Sequence, residues 1–511
     1  VRGRTDGAPR RLLVVADADS YVKWGAALAS TLPADWTSRL VVIASPVMPS
    51  ERQLAHALSG TRFAPEDVRI VPLDRRGVQR GLDDELDAFD PHAVLLALRG
   101  PFVRVVAPRL VRRANRPAIV SGFPGLTIPA VPKAVIYREQ ADLVVLHSRR
   151  EVREFRANAA ELGIDTSFGL ATLPFLRPAA GRAATSRTAG NDVVFAAQAK
   201  VPGERDDRLR LLRALAELAR RSPSHRVVVK VRARAGEAQT HAEQHDYAGL
   251  LAELDHVPAN LVVEDGPMAA KLARAAALVT VSSTAALEAV ARDVPTLLVD
   301  DFGVSPAMIN TVFEGAGLFG STSDLVAGRF RHADPRWLAD NYFHGTDADD
   351  WVGRLGALVE AREIVPLPPI ERRYDLSGGA LRAAFERRRM LGGFDRTVSG
   401  AIAWGVGVPV RAVVRRVRRL ERMLRRGLGA VAAPAASAPS SSLPSPAPAP
   451  TSSVDGRGVP GDVREVRLGV ASDADLLVGG ELAPHLAGHP GDERAGRHDG
   501  ALEHHGAGRD E

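Results

Sequence analysis

Residues 281–303, VSSTAALEAVARDVPTLLVDDFG, read as the end of one strand, a short helix and the start of the next strand. The apolar run ALVTV (277–281) leads into them, and Pro295 opens a second run, TLLV (296–299). Two continuously apolar runs joined by a helix form the unit of a parallel sheet covered on both faces. The polar residues gather at one end of this unit. Ser282, Ser283 and Thr284 follow the first strand, and Glu288 stands one turn into the helix.

The same pattern extends in both directions. Runs at 12–16, 40–44, 93–98, 118–122 and 143–146 alternate with helix-length stretches near 19–31, 50–59, 77–89, 101–114 and 149–162. A second series has strands at 193–197, 227–231, 261–263, 277–281 and 296–299. Its helices fall near 204–221, 242–254, 267–276, 283–292 and 349–362. Repeated strand–helix alternation predicts an α/β chain with two Rossmann-like doubly wound domains facing a cleft. The boundaries are 10–175 for the first domain, 176–190 for a linker and 191–365 for the second. A helical extension follows at 366–430. A disordered, low-complexity tail is expected over 431–511, where Pro, Ala and Ser dominate before periodicity is lost.

Composition narrows the function classes. Apolar residues make up 45% and charged residues 25%, as in ordinary globular proteins. The absence of cysteine excludes disulfides, thiolate metal sites and a cysteine nucleophile. The net charge is +6, but residues 411–426 hold eight arginines against Glu421, so the remainder sums to −1. A diffuse nucleic-acid surface is therefore not expected; one basic segment is. Apolar residues Val413, Val417, Leu420, Leu424 and Leu428 recur at helical spacing there, after a helix start at Pro409. That segment, 401–428, reads either as an amphipathic helix on an anionic membrane surface or as a packed helix with a solvated basic face. The N-terminal apolar run, Leu12–Ala16, is shorter than the about 7–15 residues of a secretory segment. No run reaches the ~18 residues that span a bilayer. A cytoplasmic location, with attachment at the inner face of the plasma membrane, is the expectation.

Ligands of open parallel sheets bind beyond the carboxyl ends of the strands. Ser282, Ser283 and Thr284 lie at such an end and at a helix start, where N–H groups and dipole favour phosphate. Helix capping explains Ser and Thr there equally well. Glu288 is too far along to complete a capping box, and fits a pair with Arg292. Lys230 and Arg232 share one face at the end of another strand, where two cations can neutralise a diphosphate leaving group. An ordinary charge pair at a strand edge is the alternative. Gln198 ends VVFAAQ, facing a nucleotide or simply closing the strand.

The stretch EDGPMAAKLARAAALVTVSSTAALEAVARDVPTLLVDDFG resembles the donor-domain signature of GT-B glycosyltransferases. It is most similar to bacterial capsule and wall-polymer enzymes of the CDP-glycerol glycerophosphotransferase type. Asp265, Ser282, Ser283, Glu288 and Pro295 carry the match. The two-domain layout over roughly 10–365 resembles an uncharacterised actinobacterial glycosyltransferase group. The resemblance implies donor-diphosphate contacts from Ser282, Ser283 and Thr284, a ribose or sugar contact from Glu288, and no essential metal or other cofactor. Where those families carry Lys-x-His-Pro, this chain has Arg232 and Ala233.

In the first domain, Asp17, Asp19, Ser20 and Lys23 follow the first strand. A carboxylate there can take a proton from an acceptor hydroxyl, and Asp17 is the better base because Asp19 also suits a helix N-cap. His147 ends LVVLHS and is placed for acid–base work or for a structural role. Gly122 and Gly125 in SGFPGLTIP allow close approach of backbone to an acceptor, or make a plain turn. With these residues, the resemblance implies a transferase moving a sugar or polyol phosphate from a nucleotide-activated donor to a hydroxyl acceptor, lipid-linked or in the cell envelope. A nucleotide-sugar 2-epimerase and a non-catalytic sugar-nucleotide sensor are the competing readings.

Overall fold

Thirteen strands build two sheets in the computed structural model, which describes residues 9–71, 78–176, 190–231, 245–374 and 379–431. The first sheet contains β1 (Arg10–Ala16), β2 (Trp36–Ile43), β3 (Arg69–Val71), β4 (Ala93–Ala97), β5 (Ala118–Gly122), β6 (Leu143–Leu146) and β7 (Ser167–Leu170), in the order β3-β2-β1-β4-β5-β6-β7. The second contains β8 (Asp192–Ala196), β9 (Arg226–Lys230), β10 (Leu261–Glu264), β11 (Ala275–Thr280), β12 (Thr296–Val299) and β13 (Phe319–Gly320), in the order β10-β9-β8-β11-β12-β13. Every strand pairing is parallel: Val14 faces Leu40 on β2 and Leu95 on β4, and Val194 faces Val228 on β9 and Leu278 on β11. The doubly wound α/β class expected from the sequence is the one observed, in two lobes.

The continuous apolar runs have a simple cause. Leu13 and Val15 of β1 enter one core, while Leu12, Val14 and Ala16 enter another on the opposite face. β8 divides the same way, Val193 and Phe195 on one side, Val194 and Ala196 on the other. Successive side chains of a strand point to opposite faces, so a strand covered twice must be apolar at every position.

All described residues fall within one compact unit, and the two lobes share packing. Leu126 and Ile128, on the loop after β5, join the apolar core beneath β8 and β11. Glu151 is fully buried in the first lobe. One of its oxygens accepts from the His147 backbone N–H at 2.8 Å; the other accepts from Thr127 N–H at 3.1 Å and from the Tyr342 hydroxyl at 2.7 Å. Tyr342 packs in the second lobe's core, so one carboxylate ties both lobes together. Asp349 Oδ1 adds bonds from Thr172 N–H and Oγ1–H at 2.7 and 2.9 Å.

Three elements differ from the sequence reading. The helix Trp351–Ile364, expected in the second domain, returns to the first. Its Trp351, Leu355 and Val359, four residues apart, are buried on β5, β6 and β7, in the core that also takes Leu12 and Val14 of β1. Periodicity reveals an apolar face but not its partner. The extension continues over the first lobe, where Met390 and Leu391 of the helix Gly379–Leu391 join its core. The final helix spans Val398–Val431 and runs through Pro409 rather than starting there. The helix Ala285–Val290 is shorter than expected. Most of the 176–190 linker (177–189), Arg232 and the tail from 432 onward lie outside the described residues.

The returning helix supplies a direct stability test. Trp351→Ala empties a site 1% exposed and lowers unfolding free energy by about 3–5 kcal/mol. Ile364→Ala on the same helix, 82% exposed, changes it by less than about 0.5 kcal/mol. Chemical denaturation of the two variants checks the contrast.

Candidate functional site

Each sheet has one point where the strand order reverses: between β1 and β4 in the first, between β8 and β11 in the second. Diverging connections leave a crevice there, beyond the carboxyl ends of the strands. A polar side-chain pair bridges each crevice.

In the second lobe the pair is Gln198 and Ser282. The carboxamide oxygen of Gln198 accepts from the Ser282 N–H at 2.8 Å, and its NH2 donates to Ser282 Oγ at 2.9 Å. Thr280 Oγ1 on β11 donates to the Ala196 carbonyl of β8 at 3.0 Å and accepts from Ser283 N–H at 3.3 Å. Arg208 fixes the loop after β8 from below. Buried in the helix Arg205–Arg221, it donates to the carbonyls of Pro202 at 2.9 Å, Ala199 at 2.7 Å and Gln198 at 3.1 Å. The turn after β11 is therefore held rigid before any ligand arrives.

This geometry divides the sequence candidates. Ser282 is 3% exposed, and its N–H and hydroxyl are both engaged by Gln198. Ser282 braces the crevice with both its N–H and its hydroxyl committed, while its partner Gln198 stays part-buried. Ser283 and Thr284 are half-buried at its mouth. Ser283 Oγ accepts from Ala285 N–H at 3.2 Å, while the Thr284 side chain makes no cap bond.

Glu288 lies beneath them with its side chain 20% exposed. Burial raises its carboxyl above the ordinary range; Lys23, Arg292 and Lys230 oppose that rise. The cations come from three places: Lys230 ends β9, Arg292 follows on the chain, and Lys23 belongs to the first lobe. Glu288 thus faces the field of both lobes instead of forming only a surface pair; its contact with Arg292 is 3.9 Å. Among the described residues, no three His, Cys, Asp or Glu side chains converge as metal ligands would.

The crevice of the first lobe is sealed. Asp17 follows β1 with no exposed surface, and Arg99, after β4, donates to its Oδ2 at 2.7 Å. Oδ1 has no hydrogen-bond partner. Burial raises the Asp17 carboxyl, and Arg99 opposes this. Asp19 is the first helical residue rather than the cap, which falls on Ala18. Its charge complements the helix dipole.

His147 does not fit acid–base chemistry. It is completely buried; its Nδ1 lies 2.8 Å from the Ala171 carbonyl, and its Nε2 accepts from the Trp24 indole N–H at 2.7 Å. Burial lowers its pKa from the ordinary imidazole value. Both nitrogens are committed, so the side chain is a strut between β6, the helix Asp19–Ala29 and the segment after β7. Gly122 is likewise a packing residue. A Cβ there would lie 2.6 Å from the Trp24 ring and 2.7 Å from the Val145 carbonyl, so the close approach is by Trp24 and not by a ligand. Gly125 has open space around its Cβ position.

Sequence reasoning missed Arg99, Arg138 and Arg208. Arg138 is buried, stacks 3.7 Å over the Phe123 ring and donates to the Gly122 carbonyl at 3.0 Å. Arg99 sits at a strand's carboxyl end, in LLALRG, and that position was its signal. Arg208 interrupts an otherwise apolar helix face beside Leu209, Leu211 and Leu212, which was another.

No curated protein matches the chain. Solved structures of similar arrangement include UDP-N-acetylglucosamine 2-epimerase from Methanocaldococcus jannaschii, at 11% identity and TM-score 0.47, covering 68% of this chain and 99% of that one. The UDP complex of MnaA from S. aureus has 11% identity and TM-score 0.44, covering 71% and 99%. A UDP-glucosyltransferase from Polygonum tinctorium has 13% identity and TM-score 0.44, covering 70% and 99%. Likenesses this distant carry no activity across. Residues 12–358, more than half of the chain, match the family described as "Putative glycosyltransferase (DUF6716)", and the protein belongs to that family.

Proposed function

We propose that the protein transfers a sugar, or a polyol phosphate, from a nucleotide-activated donor to a hydroxyl acceptor. The observation that carries this reading is the braced crevice of the second lobe. Its turn is held by Gln198, Thr280 and Arg208, and its mouth carries Ser283, Thr284 and the end of β9 at Lys230. Half-buried hydroxyl residues, Ser283 and Thr284, and the Lys230 cation, whose charge acts on Glu288, suit a pyrophosphate whose charge grows as it leaves. Membership of a glycosyltransferase family supports the same reading.

In this scheme Lys230, Ser283 and Thr284 contact the donor diphosphate, and Glu288 accepts from hydroxyls of the ribose or sugar. Ser282 and Gln198 act through the turn they brace. Asp17 is assigned the acceptor's proton, because Oδ1 is uncommitted while Arg99 fixes the other oxygen. Since Asp17 is sealed, the acceptor reaches it only when the surrounding loops open. An envelope polymer precursor is the acceptor class that the sequence resemblance suggests.

Three experiments follow. Calorimetry against UDP, CDP, GDP and TDP identifies the nucleotide; Lys230→Ala weakens its binding by about 10- to 100-fold, the loss of one charge-assisted contact. Unchanged affinity in Lys230→Ala and Ser283→Ala removes the donor assignment. Conversion of a UDP-sugar without an acceptor would replace transfer by epimerisation, and binding without any turnover would leave a sensor.

Asp17→Asn lowers turnover by about 100-fold or more while nucleotide affinity holds. Normal turnover per folded molecule, with only a lower melting temperature, would make Asp17 structural.

Glu288 gives a pH test. Its folded pKa is raised, so the folded state holds the proton more tightly than the unfolded chain does, and ionisation above that pKa costs stability. Glu288→Gln therefore raises the melting temperature at pH 7, and the gain disappears below about pH 4, where the unfolded carboxyl is also protonated.

A further inference from the structure

We propose that the helix Val398–Val431 docks the protein on an anionic lipid surface, lying flat with its exposed aliphatic stripe in the headgroup–acyl boundary. The inference is independent of the chemistry assigned to the crevice.

The helix has two different faces. One packs on the preceding helix, Gly379–Leu391. Ala403 is fully buried there, and Trp404 stacks on Phe385 with ring centroids 5.6 Å apart. Gly407 lies against the same ring, where a Cβ would clash. The opposite face points to solvent and is aliphatic. Val398 is 76% exposed, Ile402 58%, Val410 57% and Val413 62%, with Val406 between them. These residues recur at intervals of four and three, so they form one stripe. The stripe extends the apolar face expected from the sequence toward the N-terminus: it begins fifteen residues before Val413. In the sequence, Val417, Leu420 and Leu424 continue the same spacing.

Charge selects the occupant. Eight arginines between 411 and 426 follow the stripe, with Glu421 the lone acid. A second copy aligned in parallel would bring two such runs together. A nucleic acid would meet the arginines but leave the aliphatic stripe in water. The chain's own sequence from 432 to 454 is Ala, Pro, Ser and Thr with only Leu443 and Val454 as larger apolar residues, and offers little to cover it. Anionic phospholipid satisfies both features, aliphatic residues in the boundary and arginines at the headgroups. No helix among the described residues is long and apolar enough to cross a membrane, so the contact is with the surface.

The test is co-sedimentation of the full 511-residue protein with phosphatidylcholine vesicles, with and without phosphatidylglycerol. Binding is expected only with phosphatidylglycerol, and to fall as salt rises. The triple variant Ile402→Asp, Val406→Asp, Val410→Asp loses about tenfold or more of that binding. Its melting temperature and nucleotide affinity stay at the wild-type level, because the three side chains touch solvent. Equal binding to both vesicle types, or undiminished binding of the triple variant, overturns the proposal. So does a wild-type protein that ignores vesicles, whether it sediments as a dimer that the triple variant dissociates or binds RNA as well as that variant does.

Discussion

A parallel sheet covered by helices on both faces can carry polar side chains only at the ends of its strands. The rest of this protein follows from that constraint. β1 sends alternate residues into two cores, and β8 does the same, so neither can hold a functional group along its length. Polar side chains accordingly gather at strand ends: Asp17, Arg99 and His147 after β1, β4 and β6, Lys230 at the end of β9, and Gln198 and Ser282 after β8 and β11. The strand order then selects among these ends, because only the reversal between neighbouring strands opens a crevice.

The two crevices have been used differently. In the first lobe an ion pair fills the space: Asp17 is shut from solvent, and the Arg99 side chain is 11% exposed. In the second lobe neutral groups, Gln198 and Ser282, close only the base, leaving Ser283, Thr284 and Glu288 at partly exposed positions. A neutral brace suits an anion site, since it holds the backbone without adding a fixed charge that must be displaced. Lys23 of the first lobe is among the cations that oppose the burial-driven rise of the Glu288 carboxyl. Glu151, bonded to Tyr342, ties the lobes on the apolar side of the same junction.

Much of this was legible in the sequence. The ten strands read from apolar runs all exist, because a run buried on two faces leaves an unmistakable mark. β3, β7 and β13 were not read. Arg69 and Ile70 of β3 are exposed, Ser167 opens β7, and β13 has only two residues. The candidate residues were found by their place at strand ends, but their roles were less legible. His147 and Ser282 look like available chemistry in one dimension; Trp24 and Gln198, 123 and 84 residues away, consume their hydrogen-bonding capacity in three. Gly122 reads in the sequence as room for a ligand or as a plain turn, and the space beside it holds Trp24. The return of Trp351–Ile364 to the first lobe was equally hidden, since an amphipathic pattern does not name the surface it covers.

The most direct test is amide hydrogen exchange on the protein with and without a saturating nucleoside diphosphate. A pyrophosphate held at the second crevice slows exchange at 282–288 and near Lys230, and leaves the amides around Asp17 and Arg99 unchanged. Slowing confined to the first lobe, or no slowing at 282–288 despite measured binding, would contradict the account.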